Sequence, residues 1–315
     1  MARLALASIV ISPVAALLVW SPANGPRVTL STDYPGGWAP SKASCVDICV
    51  GASPYPTCFT NTTDCVHKRQ APGDYDTLLL DQLFLPQFCR DLLTGTDPTL
   101  AHRPVAAYPL GISCKMPSVP SRLLIHGLWP NYDGGYPACC NTSATILNRP
   151  FNPHTWTTRF PSLLADMTDA WRDATQLVPI DMACELWNHE FQKHGLCYTD
   201  ASSGYEDAAA RYFTDTLHVA QRLAAATTAI NAVAASDMPM VTTAMLQSLY
   251  SHTVEMHCVQ RDNGSVFLSA VRSCWSKPRG DIATAVQVDC SSTRAPDACP
   301  PNAHLSVAPY KAPQD

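Results

Sequence analysis

The sequence predicts an α+β fold, in which a central antiparallel β-sheet is flanked by helices and stapled by disulfides. Strand-like apolar runs and helix-like periodic segments are intermixed along the 315 residues, without the regular alternation that a parallel sheet requires. The 14 cysteines are even in number and spread along the chain, which favours disulfides in an oxidising compartment. The sequence contains no internal repeat, so we expect a single main domain.

The first 23 residues predict a secretory leader. A short basic start, Met1-Ala2-Arg3, precedes an apolar stretch that Pro13 interrupts, and Ser21 and Ala23 stand at plausible cleavage positions. The stretch is shorter than the ~20 residues of a membrane span and contains a proline, which argues against a transmembrane helix. An uncleaved anchor is the alternative. Three Asn-x-Ser/Thr sequons agree with the secretory route and predict glycosylation, at Asn61, Asn141 and Asn263.

Two buried strands open the main domain, which we place at residues 74–295. Before it, residues 24–73 are rich in Pro, Ser, Thr and Gly and carry four cysteines, which predicts an irregular, disulfide-tied extension without a core of its own. "TLLLDQLF" from Thr77 predicts the first strand and "SRLLIHGLWP" from Ser121 the second, with loops over residues 90–120.

Helices and a hairpin are predicted in the second half of the chain. "PSLLADMTDAWRD" from Pro161 has helical spacing, the stretch from Ser203 to Ile230 is the clearest helix, and a shorter helix is expected around "TTAMLQSLYS". Residues 252–274 predict a hairpin that turns at Asn263-Gly264, and "IATAVQVDC" predicts another strand. Residues 296–315 are Pro-rich, and we expect a loose tail.

The charge excludes one class of nucleic-acid-binding protein. Only 15% of residues are charged and the formal net charge is -5, which argues against a broad basic surface. Any contact with phosphate must be local, through a few well-placed cations.

The segment "ELWNHEFQKHGLCY" (185–198) predicts an acid–base site. On an α-helix, at ~100° per residue, four polar side chains share less than half of the circumference: His189, Glu190, Lys193 and His194. A zinc metallopeptidase helix needs two histidines one turn apart, but Lys193 stands one turn after His189, and His194 falls ~140° away. This disfavours a metal site. A solvated polar face is the other alternative.

A second segment, "IHGLWPNYDGGYPACC", sets His126 at the end of a strand. Together the two segments resemble the active-site segments of the ribonuclease T2 family of secreted acid ribonucleases. Residues 125–130 match very closely, whereas residues 187–197 have Phe191 where the family usually has Trp and Leu196 where Thr is usual. "LLLDQLFLPQFC" is a weaker likeness, because Phe84 replaces a Trp and its proline falls one place later. The resemblance covers about residues 75–295.

The resemblance implies an endoribonuclease that cleaves single-stranded RNA without metal or cofactor. The ribose 2′-hydroxyl attacks the neighbouring phosphate and gives a 2′,3′-cyclic phosphate, which water opens to a 3′-phosphate. His194 is the implied base and His126 the implied acid, since histidine titrates near the working pH. Lys193 and a protonated His189 would stabilise the negative phosphorane, and Glu190 would tune or relay protons. DNA lacks the nucleophile and should not be cut.

Base recognition is predicted from aromatic residues near His126. Unpaired bases stack on aromatic rings, and Trp129 and Tyr132 are the candidates, with core packing as the alternative for Trp129. Gln82 is the candidate for a second base pocket. Fungal relatives have an Asp after the Trp-Pro pair, where this chain has Asn131, so their base preference does not carry over.

The resemblance also implies several disulfides. Cys197 should bond to Cys139 or to Cys140, which would pin the catalytic helix to the loop after His126. The other implied pairs are Cys89–Cys114, Cys258–Cys299 and Cys274–Cys290.

The predicted protein is a monomer, either secreted or vacuolar-lysosomal. It has no DNA partner, and no membrane association once the leader is removed. The main alternative is a catalytically idle family member that serves in storage, defence or binding, which the presence of every catalytic residue type disfavours. A metallohydrolase is the third reading.

Overall fold

The computed structural model describes residues 37–39, 41, 43–59, 63–94, 113–115, 119–140, 148–198, 204–290 and 297–311. The predicted leader and the sequons at Asn61 and Asn141 lie outside this part of the chain. The described residues belong to one compact unit, Ser31–Asp315. Among them, no helix combines the length and the apolar character needed to cross a bilayer.

The α+β prediction is confirmed, and the sheet is largely antiparallel. The strands that the structure describes are β1 (Thr57–Cys58), β2 (Thr77–Phe84), β3 (Leu123–Asn131), β4 (Gly135–Tyr136), β5 (Met240–Thr242), β6 (Glu255–Gln260), β7 (Val266–Ser276), β8 (Gln287–Val288) and β9 (His304–Ser306). The main sheet has the order β3-β2-β7-β9-β5, and β6 and β8 also pair with β7. Only β7 and β9 pair in parallel in the described sheet. The pair β1 and β4 forms a separate small sheet.

Helices pack against this sheet, and several begin at proline, whose fixed φ suits the first turn. In the described residues they are α1 (Thr63–Val66), α2 (Leu85–Thr94), α3 (Pro153–Arg159), α4 (Pro161–Ala170), α5 (Tyr205–Arg222), α6 (Ala224–Ala234) and α7 (Thr243–Gln247), with a 3₁₀ turn at Ile282–Thr284. The long predicted helix is therefore two helices, which separate at Leu223. Helix α2 extends into a region that was predicted to be loops.

Residues 179–198 form a further helical run, here called the site helix. Its turns are α-type at Pro179–Met182, Asn188–Glu190 and Leu196–Tyr198, and π-type at Ala183–Trp187 and Phe191–Gly195. In a π-turn the hydrogen bond joins residues five apart. The run therefore departs from the ~100° spacing of an ideal α-helix.

An aromatic cluster holds the site helix against the core. Trp187 and Phe191 are fully buried. The Trp187 indole donates to the Trp171 carbonyl at 2.9 Å, and the Phe191 ring stacks on Phe151 at 5.6 Å between centroids. Phe191 thus fills a closely packed aromatic site.

Seven disulfides staple the fold, and no described cysteine is unpaired. Four pairs are those that the resemblance implied, with Cys197 choosing Cys140: Cys140–Cys197, Cys89–Cys114, Cys258–Cys299 and Cys274–Cys290. Three pairs lie in or reach the extension: Cys45–Cys184, Cys49–Cys139 and Cys58–Cys65. The extension is largely irregular, and two of its bridges tie it to later parts of the chain rather than to itself.

The expected loose tail is wrong for residues 297–311. Strand β9 lies between β7 and β5, and its Leu305 is fully buried, as is Val307 beyond it. The Arg90 guanidinium donates to the carbonyls of Ala308 and Pro309. Three strand residues among prolines are too few to reveal a strand period in the sequence. The strand expected in "IATAVQVDC" likewise shrinks to the two residues of β8.

Leu305→Ala tests whether the tail belongs to the core. Truncating this fully buried side chain leaves a cavity in the sheet, and we expect a loss of about 2–5 kcal/mol in the free energy of unfolding. Urea unfolding measures it as a lower midpoint with an unchanged slope. The matched control is Leu249→Ala, at a leucine that is 38% exposed. Equal midpoints for the two variants would contradict the assignment.

Candidate active site

The site forms where β3 meets the site helix. The register of β2 on β3 passes from Asp81 opposite Gly127 to Gln82 opposite Ile125, so His126 is the extra residue of a bulge. A β-bulge bends the strand and re-aims the bulged side chain. This brings His126 of the first sequence segment to Glu190 of the second, with His126 Nε2 3.5 Å from Glu190 Oε1.

A buried carboxylate orients His126. His126 Nδ1 lies 2.7 Å from Asp81 Oδ2, and the Arg272 Nε donates to Asp81 Oδ1 at 2.6 Å. Asp81 is fully buried and lies opposite Arg272 in the pairing of β2 with β7. With Nδ1 engaged by Asp81, Nε2 is the nitrogen that faces Glu190. The sequence analysis missed both partners, although a charged residue within the apolar run "TLLLDQLF" was a signal.

Trp129 connects the two implied catalytic histidines. Its ring stacks on His194 with 5.1 Å between centroids, and meets His126 edge-on at 5.2 Å. Its indole nitrogen donates to Glu190 Oε2 at 2.8 Å. Both imidazoles therefore contact the same indole ring.

Glycine after His126 permits this close approach. A Cβ at Gly127 would overlap both the Glu190 carboxylate and the Trp129 indole nitrogen. Only a residue without a side chain lets β3 and the site helix come this close. The "HGLW" sequence therefore encodes the hydrogen bond between Trp129 and Glu190.

The spacing of His189 and His194 on an ideal α-helix disfavours a metal site, but the π-type turn changes that spacing. One ligand atom from each of His189, Glu190 and His194 lies within 4.8 Å of the others. On an ideal α-helix His194 would point ~140° away from His189, but the turn at Phe191–Gly195 brings it back over the same side. The expectation that helical spacing disfavours a metal site is thus wrong. The chemistry of the residues must decide whether the site uses a metal.

The two histidines differ in pKa. Burial lowers the pKa of His194 well below its ordinary value, and the positive charges of Lys193, His189 and His126 add to this. Burial alone would also lower the pKa of His126, but Glu190 and Asp81 outweigh it and raise that pKa. The two pKa values therefore shift in opposite directions, so His126 is the more readily protonated of the two rings.

The carboxylates of the site also have shifted pKa values. Burial raises the pKa of Glu190 to about 7, although His126 and Trp129 oppose it. Burial would raise the pKa of Asp81 as well, but Arg272 and His126 hold it well below its usual range. Asp81 thus stays ionised while Glu190 titrates near neutrality. Among the described residues, Glu190 Oε1 and His194 Nδ1 have no hydrogen-bond partner although both are buried.

A model of the Ribonuclease T2 family matches residues 75–290. This chain belongs to the ribonuclease T2 family. Ribonuclease 1 of Arabidopsis thaliana is 36% identical over 99 residues, which are 31% of this chain and 36% of that protein. Ribonuclease T2 protein rnst-2 of Caenorhabditis elegans is 28% identical over 171 residues, 52% of this chain and 56% of that protein. The chain thus spans about a third to about half the length of these curated relatives.

A solved structure shares the fold of this ribonuclease T2 chain. RNase NT superposes with a TM-score of 0.51 at 19% sequence identity, over 75% of this chain and 100% of that one. The extension at residues 37–73 lies before the matched family segment. Cys45 and Cys49 tie it to Cys184 and Cys139 within that segment.

The structure does not support two of the predicted base-binding residues. Tyr132 is 4% exposed and its hydroxyl donates to the Arg69 carbonyl. Gln82 is 3% exposed and its amide donates to Thr227. Both face inward because strand alternation and the loop after β3 turn them to the core. Trp129 is only half-buried and keeps its predicted place beside the histidines.

Tyr136 is an aromatic residue that the sequence analysis missed. It is half-buried on β4, and its ring lies 6.3 Å from the His194 ring between centroids. It stands four residues after the predicted Tyr132, in "NYDGGY". The turn between the two tyrosines decides which of their rings faces His194. Tyr136 replaces Tyr132 as the candidate partner of Trp129.

NMR titration of the histidine ring protons tests the opposed pKa values. We expect the pKa of His126 above ~6.5 and that of His194 below it. Asp81→Asn removes one of the two charges that raise the pKa of His126, so that pKa should fall. A His194 that titrates above His126 would reverse the assignment of base and acid.

Proposed function

We propose that this family member is a secreted endoribonuclease that cleaves single-stranded RNA without a metal. The 2′-hydroxyl attacks the adjacent phosphate, the 5′-oxygen leaves, and the 2′,3′-cyclic phosphate is hydrolysed to a 3′-phosphate end. One observation carries the proposal: the Trp129 ring contacts both His126 and His194, whose pKa values shift in opposite directions. Cyclisation needs one group that accepts a proton and one that donates it.

His194 is the proposed general base. Its lowered pKa favours the neutral imidazole that a general base needs. In the neutral ring one of the two nitrogens can accept the 2′-hydroxyl proton. The other nitrogen would then carry the proton in the neutral ring.

His126 is the proposed general acid, and Asp81 its positioning residue. The Asp81 carboxylate accepts from Nδ1, which fixes the ring and leaves Nε2 to protonate the leaving 5′-oxygen. The raised pKa keeps His126 charged at the pH where His194 is neutral. After cyclisation the roles reverse, so that His126 deprotonates the water that opens the cyclic phosphate.

The remaining polar residues of the site are proposed to stabilise negative charge or to hold a proton. The phosphorane carries more negative charge than the substrate phosphate, and Lys193 and a protonated His189 are the proposed cations that stabilise it. Both already act electrostatically on His194. Glu190, with its pKa of about 7, can hold or release a proton beside His126 Nε2.

The disulfides support the proposal that the protein is secreted. Seven bridges tie the extension, both active-site segments and the tail together, and such bridges persist in oxidising compartments. An extracellular or a vacuolar-lysosomal site fits equally. We propose a glycosylated monomer, and Asn263 lies exposed in the β6–β7 turn, where a glycan has room.

Metal-dependent hydrolysis is the second candidate, because His189, Glu190 and His194 could bind a divalent cation. Purified protein incubated with single-stranded RNA near pH 5 and pH 7, with and without a chelator, separates the two. We expect cleavage that the chelator leaves unchanged, a 2′,3′-cyclic phosphate as first product, and no cleavage of single-stranded DNA of the same sequence. Loss of activity with the chelator supports the metal enzyme instead. Inactivity under every condition supports an idle family member.

The loss of activity that each substitution causes should depend on the role of the residue it removes. His126→Ala and His194→Ala each remove a proton-transfer group, and we expect kcat to fall by ~10²–10⁴-fold. Lys193→Ala removes charge stabilisation and should cost ~10²–10³-fold. His218→Ala, at an exposed histidine of α5, is the control and should retain full activity. A folded His194→Ala protein with more than about a tenth of wild-type activity would exclude His194 as the base.

A further inference from the structure

The extension places an exposed aromatic ring beside the proposed cleft. Phe59 directly follows β1 and is 71% exposed, although phenylalanine is usually buried. Its ring contacts Tyr136 with 5.7 Å between centroids, and Tyr136 contacts His194 at 6.3 Å. A series of rings therefore leads outward from the proposed base to the surface.

The backbone around Phe59 is held in place. Strand β1 pairs with β4, and the Phe59 amide donates to the Gly134 carbonyl at 2.8 Å. The Cys58–Cys65 bridge fixes the residue before Phe59. A Cβ at Gly135 would overlap Thr57 and Cys65, so the two strands meet as closely as glycine allows. The ring is thus exposed but preorganised, which lowers the entropy cost of binding a partner.

The same extension carries a basic run. His67-Lys68-Arg69 follows Cys65 shortly, and His67 and Arg69 are exposed. The Lys68 ammonium lies 5.2 Å from the Tyr132 ring centroid and pairs with Asp76 at 2.8 Å, and the Tyr132 hydroxyl donates to the Arg69 carbonyl. The backbones of Tyr132 and Gly135 form an antiparallel bridge across the turn into β4. Exposed rings combined with cations are the surface on which single-stranded nucleic acids bind.

We propose that Phe59 forms a base-stacking subsite for the RNA nucleotide immediately 5′ of the one that carries the attacking 2′-hydroxyl. The proposal rests on the proposed function. His194 acts on the 2′-hydroxyl, so the base of that nucleotide lies on the His194 side, beside Tyr136. Phe59 is one ring farther from His194, where the preceding base would arrive.

The subsite would be an addition of this chain to the family domain. Phe59 lies before residue 75, where the family match begins. The extension then has a role besides stapling the domain, because it lengthens the RNA-binding surface. Stacking tolerates any base, since each base has a π-face. The subsite should therefore favour longer RNA without selecting its sequence.

Kinetics on short RNAs of matched sequence test the subsite. The substrates are a dinucleotide, the same dinucleotide with one more nucleotide at its 5′ end, and the same with one more at its 3′ end. Phe59→Ala should lower kcat/KM for the 5′-extended RNA by about 5- to 100-fold, as expected for the loss of one stacked base. The other two substrates should be unaffected. Phe59→Trp should restore the preference for the 5′ extension.

Tyr55→Ala is the matched control, at a second exposed aromatic of the extension that is 74% exposed. It should behave as wild type on all three substrates, and the melting temperature of each variant checks that folding is intact. Equal loss on all three substrates, loss only on the 3′-extended RNA, or no loss would each overturn the subsite. A change of oligomeric state in Phe59→Ala, seen by sedimentation, would show instead that the ring contacts a second copy.

Binding separates the subsite from the proposed function. The 5′-extended RNA with a 2′-deoxyribose at the cleavage position cannot react, and its dissociation constant is measured for wild type and Phe59→Ala by calorimetry. Weaker binding to the variant, by the same factor, supports the subsite even if wild type cleaves no RNA. Cleavage by wild type combined with equal binding by the two proteins overturns the subsite and leaves the proposed function standing.

Discussion

The ion pair and hydrogen bond made by Asp81 are the constraint on which the site depends. A carboxylate with no solvent exposure is costly unless charged partners meet it. Arg272 on the neighbouring strand and His126 at the bulge supply those partners on its two oxygens. The pair fixes the register of β2 between β3 and β7, and it also fixes which nitrogen of His126 remains available. The centre of the sheet and the proposed acid are therefore stabilised by one carboxylate.

The asymmetry between the two histidines follows from this arrangement. Both imidazoles touch the Trp129 ring, yet Glu190 and Asp81 raise the pKa of His126, whereas burial and three nearby cations lower the pKa of His194. Burial strengthens each of these charge effects, since little water screens them. The carboxylates thus favour a charged His126 against the cost of burial, whereas burial and the cations together favour a neutral His194. A pair of groups whose pKa values are driven apart is the arrangement that acid–base catalysis requires.

Disulfides and aromatic packing make the cleft rigid. The site helix is anchored by Trp187 and Phe191 in the core, and Cys140–Cys197 joins its end to the segment after β4. The Cys45–Cys184 bridge attaches the extension to the start of the same helix. The helix that carries four of the five proposed catalytic residues is therefore fixed at both ends. Such rigidity keeps reacting groups within the short distances that proton transfer needs.

The sequence by itself determined the α+β class, the buried strand at Thr77, the hairpin at Asn263-Gly264 and both active-site segments. These features follow from local periodicity, turn residues and contiguous motifs, which require no knowledge of distant neighbours. The tertiary structure alone decided the partners of His126, because Asp81 and Arg272 come from strands far apart in the chain. It also decided the π-type turn that brings His194 over His189, the burial of Tyr132 and Gln82, and the place of the tail in the sheet. Each of these depends on which surfaces meet after folding, and a pattern within one segment does not contain that information.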